Sequence, residues 1–261
     1  MPYICQPRLP ISPWMSQATR KLPGVQPIVS SDIFLVDEVF EQQMGYRDKL
    51  LKTRSDEVYF NDFDTKDPSK ELLNYVITEL KKNERYKFSG QEVMRPDGVK
   101  VHLINEDALR VAGSLVQEDI LLLQKEGDQH ILKAGVLCFP ASWTLGEKKN
   151  KSLFEIHGPV RDYSKQLGLR IEKMFTNLKP KIPIWRANYL LYDDHELFQP
   201  RSEIEERGNS RKKLSTFMRV ERQTLSKLAL TETILFAIHT FVVPYSNLSS
   251  EQKRTLGEIL E

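Results

Sequence analysis

Apolar residues recur at helical spacing in several parts of the chain, a pattern that buries one side of an α-helix. The clearest case follows Asp67 and Pro68, a residue that can cap a helix and one that fits the first helical position. Ser249 and Gln252 have the spacing of a capping box and indicate the start of another helix. The predicted helices cover Phe34–Leu51, the segment beginning at Asp67, Tyr163–Leu178, and Ser250 to the end of the chain.

Other segments carry continuous or alternating apolar residues, which is typical of β-strands. The alternation in one of them places Trp185, Ala187, Tyr189 and Leu191 on one face of the predicted sheet, with polar residues on the other face. The predicted strands are Ile120–Leu123, Ile131–Phe139, Ile184–Tyr192, Phe217–Leu225 and Ile234–Val243, and the last two are expected to form a hairpin across Ala229–Thr233.

The order of these elements favours an α+β fold with a mostly antiparallel sheet and flanking helices. Helices come first, strands interrupted by one helix follow, and a hairpin closes the sheet, with no repeating βαβ alternation. Residues 1–30 are rich in proline and are predicted to form an irregular arm, which Ile11 and Trp14 attach to the body. Pro200–Lys213 is charged and contains glycine, which predicts a solvated loop or a lid. We expect residues 1–261 to form a single domain.

Composition excludes several classes of protein. The formal charge of +2, from 38 basic and 36 acidic residues, argues against a dedicated nucleic-acid surface. There is no apolar run of about 18 residues that would span a membrane, and the first residues lack the layout of a signal peptide. Only Cys5 and Cys138 are present, which excludes a disulfide framework or a four-thiolate metal site within one chain and favours a reducing cytoplasm. No GxGxxG or P-loop signature occurs.

The segment Val136–Val160 contains the most informative histidine. The apolar run Leu153–Ile156 is predicted to be a strand that places His157 at its end, and Gly158-Pro159 then requires a turn. An imidazole held between a strand and a rigid bend suits a metal or cofactor ligand. A structural histidine would also fit this position.

Five motifs of this part of the chain occur together in one known family. They are CFPASW, EIHGPV, WRANYLLY, RVERQTLSKL and LFAIHTF, and they span roughly Val136–Phe241. In this order they resemble the heme-dependent oxidative N-demethylases, enzymes that act on dimethylamine. The resemblance implies a PAS-like core that holds heme b. It also implies that O₂ oxidises a methyl C–H of an amine, so that the resulting hemiaminal releases formaldehyde and the shorter amine.

The resemblance makes His157 the expected axial ligand of the heme iron. Arg186, Arg219 and Arg222 lie on predicted strands, where they could bind the two heme propionates or form cross-strand ion pairs. Arg219 and Arg222 differ in strand parity, so we expect at most one of them to meet the cofactor. Trp143 could stack on the porphyrin or fill the core.

A cationic amine would need an acidic or aromatic contact, and Glu221, Tyr189 and Tyr192 are the candidates. Glu221 shares strand parity with Arg219 and could instead pair with it. Tyr189 stands where the family is expected to have tryptophan, and His239 stands where arginine is expected. The predicted catalytic residues are therefore Glu221, Tyr189 and His239. The remaining histidines, His102, His130 and His195, are interpreted as sheet, surface or turn residues.

Two other functions stay open, a PAS-type heme sensor of redox state or diatomic gas and a scaffold of the same fold without heme. For the enzyme, electrons must come from an external flavin or iron–sulfur reductase, because the chain has no dinucleotide motif and too few cysteines for a cluster. Lys148–Lys151 and Arg211–Lys213 are either contact surfaces for that reductase or solvated loops. The expected partners are the reductase, a small methylated amine and O₂, with no nucleic acid and no membrane.

Overall fold

The computed structural model describes residues 3–20, 24–28, 33–62, 67–104, 107–158, 164–203, 205 and 216–260. Two short 3₁₀ segments, Pro13–Met15 and Tyr245–Asn247, accompany the helices of these ranges. The helices are α1 (Gln17–Arg20), α2 (Phe40–Thr53), α3 (Ser55–Val58), α4 (Asp67–Leu80), α5 (Ala108–Gly113), α6 (Leu145–Lys148), α7 (Leu153–His157), α8 (Lys165–Asn177) and α9 (Ser250–Leu260).

The strands form two sheets. They are β1 (Gln26–Pro27), β2 (Tyr59–Asn61), β3 (Lys87–Ser89), β4 (Glu92–Met94), β5 (Lys100–His102), β6 (Asp119–Glu126), β7 (Gln129–Val136), β8 (Ile184–Tyr192), β9 (Phe217–Lys227) and β10 (Ile234–Pro244). The large sheet has the order β1-β8-β9-β10-β6-β7-β2, and every named pair in it is antiparallel. The small sheet has the order β3-β4-β5. The predicted α+β class with a mostly antiparallel sheet is confirmed.

The large sheet has two buried faces, and the register of β8, β9 and β10 decides which side chains share each one. On the first, apolar residues of β9, β10, β6 and β7 pack against α6, α7 and α8, so we call it the α8 face. On the second, β8–β10 pack against the N-terminal segment around Trp14 and against α9, so we call it the arm face.

The N-terminal segment is held as predicted, but it is not wholly irregular. Trp14 is 1% exposed, and its indole Nε1 lies 3.1 Å from the hydroxyl of Thr255 in α9. A 3₁₀ turn, α1 and the two-residue strand β1 interrupt the proline-rich chain, and β1 pairs with β8 through Gln26 and Pro27. Proline is compatible with the first turn of a helix and with an edge strand, which is why short elements form here.

Helix α2 begins at Phe40, six residues later than the predicted start at Phe34. Before Phe40, backbone N–H groups donate hydrogen bonds to side chains from a segment that is distant in sequence. The N–H of Leu35 donates to Glu118 at 2.8 Å, and the N–H of Asp37 donates to Gln117 at 3.0 Å. The predicted start of α2 at Phe34 was therefore wrong, because tertiary hydrogen bonds hold Leu35 and Asp37 in a non-helical segment.

Strand β7 ends at Val136, three residues before the predicted end at Phe139. The N–H groups of Cys138 and Phe139 donate to the two carboxylate oxygens of Asp119, at 2.7 and 2.9 Å. Asp119 also forms a fully buried ion pair with Arg47, at 2.8 Å. This buried carboxylate turns the chain out of the sheet, which apolar pattern alone could not indicate.

The other predicted elements agree closely with the structure. Strand β8 has the predicted bounds, β9 and β10 form the predicted hairpin, and α4 begins at Asp67. Ser249 and Gln252 cap α9 reciprocally, at 2.8 and 3.1 Å. Most of Pro200–Lys213, and all of Arg211–Lys213, lies outside the described residues. No helix in the described ranges is both long enough and apolar enough to cross a membrane.

Candidate functional site

The segment that carries His157 is a helix, so the predicted strand over Leu153–Ile156 is wrong. The Oγ of Ser152 accepts a hydrogen bond from the N–H of Glu155 at 3.3 Å, and the carboxylate of Glu155 accepts one from the N–H of Ser152 at 2.7 Å. This capping box begins α7 and was overlooked in the sequence S-L-F-E. Gly158 follows α7 as a turn residue with helical angles of −48° and −42°, and Pro159 lies outside the described residues, so the predicted bend across Gly158-Pro159 stays a prediction.

The imidazole of His157 has a defined tautomer. Its Nδ1 lies 2.9 Å from the carbonyl oxygen of Leu153, one helical turn earlier. A carbonyl can only accept, so Nδ1 carries the proton and Nε2 is the unprotonated nitrogen of the neutral ring. A metal ion binds the unprotonated nitrogen of an imidazole whose other nitrogen is fixed in this way.

The surroundings of His157 also favour its neutral form. Burial lowers the pKa of His157, the hydrogen bond to Leu153 acts in the opposite direction, and the positive charges of Lys148 and Arg186 lower it further. The neutral imidazole is the form that heme iron accepts. Helix α7 therefore presents a neutral ring on the side of the molecule where Arg186 lies.

Lys148 is a part of this site that the sequence did not reveal. It is only 4% exposed, its ammonium donates to the carbonyl of Ile156 at 2.7 Å, and it forms an ion pair with Glu203. This hydrogen bond stabilises the last turn of α7, which carries His157. Lys148–Lys151 was predicted to be a contact surface or a solvated loop, and neither holds for Lys148, which is buried at the end of α6. Helix α6 has four residues, too few to show a helical periodicity in the sequence.

Arg186 lies on the α8 face, where its β8 position pairs with Gln223 of β9. Its Nε is buried and has no hydrogen-bond partner among the described residues. Burial lowers the pKa of Arg186, and the negative charge of Glu221 acts in the opposite direction. An arginine remains charged in such a setting, so Arg186 is a half-buried cation that an anionic group would stabilise.

Glu221 is held by neighbours on the same face. Its Oε2 accepts hydrogen bonds from Asn188 at 3.3 Å and from Gln223 at 3.4 Å, and its Oε1 lies 3.4 Å from Nη2 of Arg219. The predicted pairing of Glu221 with Arg219 is confirmed. Because three donors already contact this carboxylate, it is a fixed negative charge at the site.

Arg219 is 2% exposed and is bound mostly to the backbone. Its Nη1 donates to the carbonyl of Leu197 at 3.1 Å, and its Nη2 donates to the carbonyl of Phe139 at 2.5 Å. In register it pairs with Leu190, four residues along β9 from the position opposite Arg186, which is ~13 Å at the rise of a strand. The two arginines therefore serve different parts of the α8 face.

Trp143 joins the apolar cluster of the α8 face, together with Ile156 of α7 and Met174 of α8. It follows Ser142, whose φ of 64° lies in the left-handed region that non-glycine residues rarely adopt. The N–H of Ser142 donates to the carbonyl of Gln199 at 3.0 Å, which holds this turn. Trp143 is thus placed against the same layer as His157.

The remaining predicted site residues lie on the arm face. The guanidinium of Arg222 stands over the ring of Trp185, 5.6 Å from its centroid, and the ring of Tyr189 packs against that of Trp14 at 5.0 Å. The opposite orientation of Arg219 and Arg222 agrees with the predicted parity. The α8 face carries His157, Arg186, Glu221 and Trp143, with Arg219 farther along the same face, and the arm face carries Arg222, Tyr189 and His239.

His239 is fully buried between two carboxylates. Its Nδ1 lies 3.0 Å from Glu118 and its Nε2 lies 3.2 Å from Asp37. Burial alone would lower its pKa, but the hydrogen bonds and charges of Asp37 and Glu118 outweigh burial and raise the pKa of His239 to about 9. Both ring nitrogens are thus committed to carboxylates, and the ring is charged at neutral pH.

A cavity of about 990 Å³ opens on the arm face. Trp185, Arg222, Phe241 and Asp37 line it, together with residues of the N-terminal segment. It lies on the opposite side of the sheet from His157, and no histidine is among its described lining residues. This cavity therefore does not contain the predicted axial ligand, His157.

The other histidines have ordinary roles. His102 is exposed in β5, and His195 packs edge-on against Phe217 at 5.5 Å. His130 is 2% exposed, and its Nδ1 lies 2.6 Å from Glu172 of α8. None of the described residues forms a group of three or more metal-binding side chains, whereas heme needs as few as one protein ligand.

The residues of the α8 face fit a heme. A neutral imidazole with its Nδ1 fixed by a carbonyl suits the iron, and a half-buried guanidinium whose buried Nε lacks a partner among the described residues suits a propionate. The fold and this set of side chains define an α+β protein with a candidate heme site on one helix-covered face of its sheet.

A family model described as "Haem-dependent oxidative N-demethylase, alpha subunit-like" matches residues 24–261. The chain belongs to this family. The description names a dependence on heme and an alpha subunit, which implies a partner subunit. The family suggested by the five sequence motifs is confirmed.

Proposed function

We propose that this protein is the heme-binding oxygenase subunit of an enzyme that oxidatively demethylates a small methylated amine. The observation that carries the proposal is the fixed, neutral imidazole of His157 within a chain of this family. The balanced reaction takes the amine, O₂, two electrons and two protons to the demethylated amine, formaldehyde and water. Heme b, when bound, supplies the oxygen activation that no side chain can perform.

The residues of the α8 face would hold the cofactor. His157 would ligate the iron through Nε2, and Lys148 would keep α7 in place through the carbonyl of Ile156. Arg186 would bind a propionate, since its half-buried guanidinium lacks a carboxylate within salt-bridge distance among the described residues. Trp143 would pack against the porphyrin.

Glu221 would contribute the negative charge that a protonated amine requires. Three donors contact its carboxylate and hold it in place, which suits an electrostatic role. Tyr189 and His239, which we predicted to be catalytic from the resemblance, lie on the arm face, and the proposal assigns the reaction to Glu221 and its neighbours.

The remaining parts of the proposal concern the whole chain. Residues 1–261 would form one heme-binding domain with a PAS-like core and an N-terminal arm over residues 1–30. The electrons would come from a flavin or iron–sulfur reductase on a partner, in keeping with the alpha-subunit description. With two cysteines, both free where the structure describes them, the protein would work in a reducing cytoplasm.

The test is the absorption spectrum of the protein loaded with hemin. We expect a Soret band from the wild-type protein that His157→Ala abolishes or greatly shifts, while the far-UV circular dichroism stays unchanged. His102→Ala, which removes an exposed histidine, is the matched control and should keep the wild-type band. A wild-type spectrum in folded His157→Ala would overturn the assignment.

The reaction itself is tested by formaldehyde release. Chemically reduced, heme-loaded protein is exposed to O₂ with a panel of methylated amines, and at least one amine should yield formaldehyde. Tight binding of O₂ or carbon monoxide with no product from any amine would instead identify a heme sensor.

A further inference from the structure

Helix α8 presents an outward face that carries only positive charge. Lys165, Arg170 and Lys173 are exposed on it, and between them lies Leu169, whose side chain is exposed although it is large and apolar (56%). Within the described part of the chain, none of these three cations forms an ion pair with a carboxylate. The face is therefore an unneutralised cluster of charge around one apolar side chain.

The absence of negative charge on this face has a structural cause. Glu172 is the only acidic residue of α8 and is turned inward, with 6% exposure. Its two carboxylate oxygens contact Nδ1 of His130 at 2.6 Å and the N–H of His130 at 3.2 Å. The acidic residue of α8 is thus committed to the core and does not neutralise the outer cations.

The connection after α8 extends this surface. Lys179 and Lys181 are exposed, and so is Ile182 (54%). We call the exposed side chains of α8 and of the 179–182 connection the basic patch. It combines five cations with two separate apolar side chains, a composition that suits a charged protein surface better than a lipid one.

The basic patch lies on the outer side of the layer that covers the proposed heme site. The inward side chains of α8, Ile171, Met174 and Phe175, belong to the same apolar cluster as Ile156 and Trp143. Helices α7 and α8 also pack directly against each other. A protein bound at the patch would therefore be separated from the His157 region by a single helix.

We infer that the basic patch is the docking surface for an acidic protein that donates electrons, an inference that rests on the proposed heme function. Opposite charge steers association, and the exposed Leu169 and Ile182 supply small apolar anchors. Each reduced donor would be oxidised by one electron at each encounter, so two encounters would supply the two electrons that the proposed reaction consumes with O₂ and two protons. A lipid surface is disfavoured because the apolar side of α8 is already buried in the core.

The test uses a plant-type [2Fe–2S] ferredoxin as the acidic probe and measures binding to the full chain without heme by calorimetry. The variant Lys165→Glu, Arg170→Glu, Lys173→Glu reverses the three charges of α8. The control variant Lys49→Glu, Lys52→Glu, Lys87→Glu makes the same charge change at exposed positions of α2 and β3. Circular dichroism confirms that both variants fold.

We expect ferredoxin binding by the wild type that weakens with added salt, a loss of about tenfold or more in the α8 variant, and less than about twofold in the control. Equal losses in both variants, or no binding by the wild type, would overturn the inference. So would binding to vesicles of phosphatidylcholine and phosphatidylserine without binding to ferredoxin.

The measurement is independent of the proposed function, because the chain is tested without heme. Ferredoxin binding that depends on α8, in a protein that fails to ligate heme through His157, would retain the docking surface and reject the heme assignment. Conversely, the heme assignment would be retained and the docking surface rejected if His157 ligates heme and the charge reversals on α8 leave ferredoxin binding unchanged.

Discussion

Each face of the large sheet holds a histidine close to an arginine, with His239 fully buried and His157 half-buried, and the two faces give the histidine opposite charge states. On the arm face, His239 lies between Asp37 and Glu118, and its pKa is raised to about 9. On the α8 face, His157 has a carbonyl on Nδ1 and is near the cations Lys148 and Arg186, and its pKa is lowered.

The difference shows that the neighbours of a buried imidazole determine what it can do. A histidinium held by two carboxylates is a structural cation, since both of its nitrogens carry protons and neither can ligate a metal. A neutral imidazole with one nitrogen fixed can bind iron through the other. We therefore expect substitutions on the arm face to change stability, and those on the α8 face to change heme binding.

The largest loss of stability is expected from His239→Ala. Removing the imidazolium leaves Asp37 and Glu118 buried without their shared cation, which costs ~3–5 kcal/mol of unfolding free energy. Urea denaturation measures the loss, and the heme spectrum of the folded fraction should stay unchanged. Loss of the Soret band at wild-type stability would instead move the cofactor to the arm face.

The same contact predicts a loss of stability in alkaline solution. Because the folded-state pKa of His239 is raised from 6.5 to about 9, its contribution is fully present below pH 6.5 and is lost as the pH rises through about 9. The contribution is on the order of 3 kcal/mol. Urea midpoints of the wild type should fall over this range, and those of His239→Ala should fall less. Parallel curves for the two proteins would contradict the assignment.

The carboxylate of Asp37 predicts a second loss of stability, in acidic solution. Burial raises its pKa, but the hydrogen bond and charge of His239, with hydrogen bonds from Gln117 and Gln6, outweigh burial and lower the pKa of Asp37 to about 2. Its contribution is therefore present above pH 3.8 and is lost as the pH falls through about 2. The same midpoints, extended into acid, should show this second decline.

Substitution of one arginine on each face tests which face retains the heme. Arg186→Ala should weaken heme retention by ~1–3 kcal/mol, the range for a hydrogen bond to a charged group. Arg222→Ala should leave heme retention unchanged, because this guanidinium lies over Trp185 on the arm face. Heme transfer to apomyoglobin measures both. Equal retention by Arg186→Ala and the wild type would assign Arg186 to a structural network.

The smallest effect is expected from two helix caps. Ser152→Ala and Ser164→Ala each remove an N-cap side chain, of α7 and α8 respectively, and each should cost ~1 kcal/mol of stability. Only Ser152 positions the helix that ends at His157, so only its loss should also shift the Soret band. Identical spectra for the two variants would mean that α7 needs no cap to hold the ligand.

The sequence by itself determined the elements whose stabilising contacts are local. Apolar periodicity and caps were sufficient for α4, α9, β8 and the β9–β10 hairpin, because the residues that specify each element lie within it. Alternation along a strand also determined that Arg219 and Arg222 face opposite ways, since side-chain direction has a period of two. The motif order was sufficient for the family, which the match over residues 24–261 confirms.

The tertiary structure decided which of these residues meet. The carboxylate of Asp119 ends β7 by binding backbone N–H groups about 20 residues away in the chain. Glu118 and Gln117 likewise bind N–H groups before α2, about 80 residues away, and the helix therefore starts later than predicted. The charge states of His157 and His239 likewise depend on Lys148, Arg186, Asp37 and Glu118, none of which is a sequence neighbour of the histidine it affects. Coulomb and hydrogen-bond energies depend on distance in space, and in this chain only the packing of helices on the two faces of the sheet sets those distances.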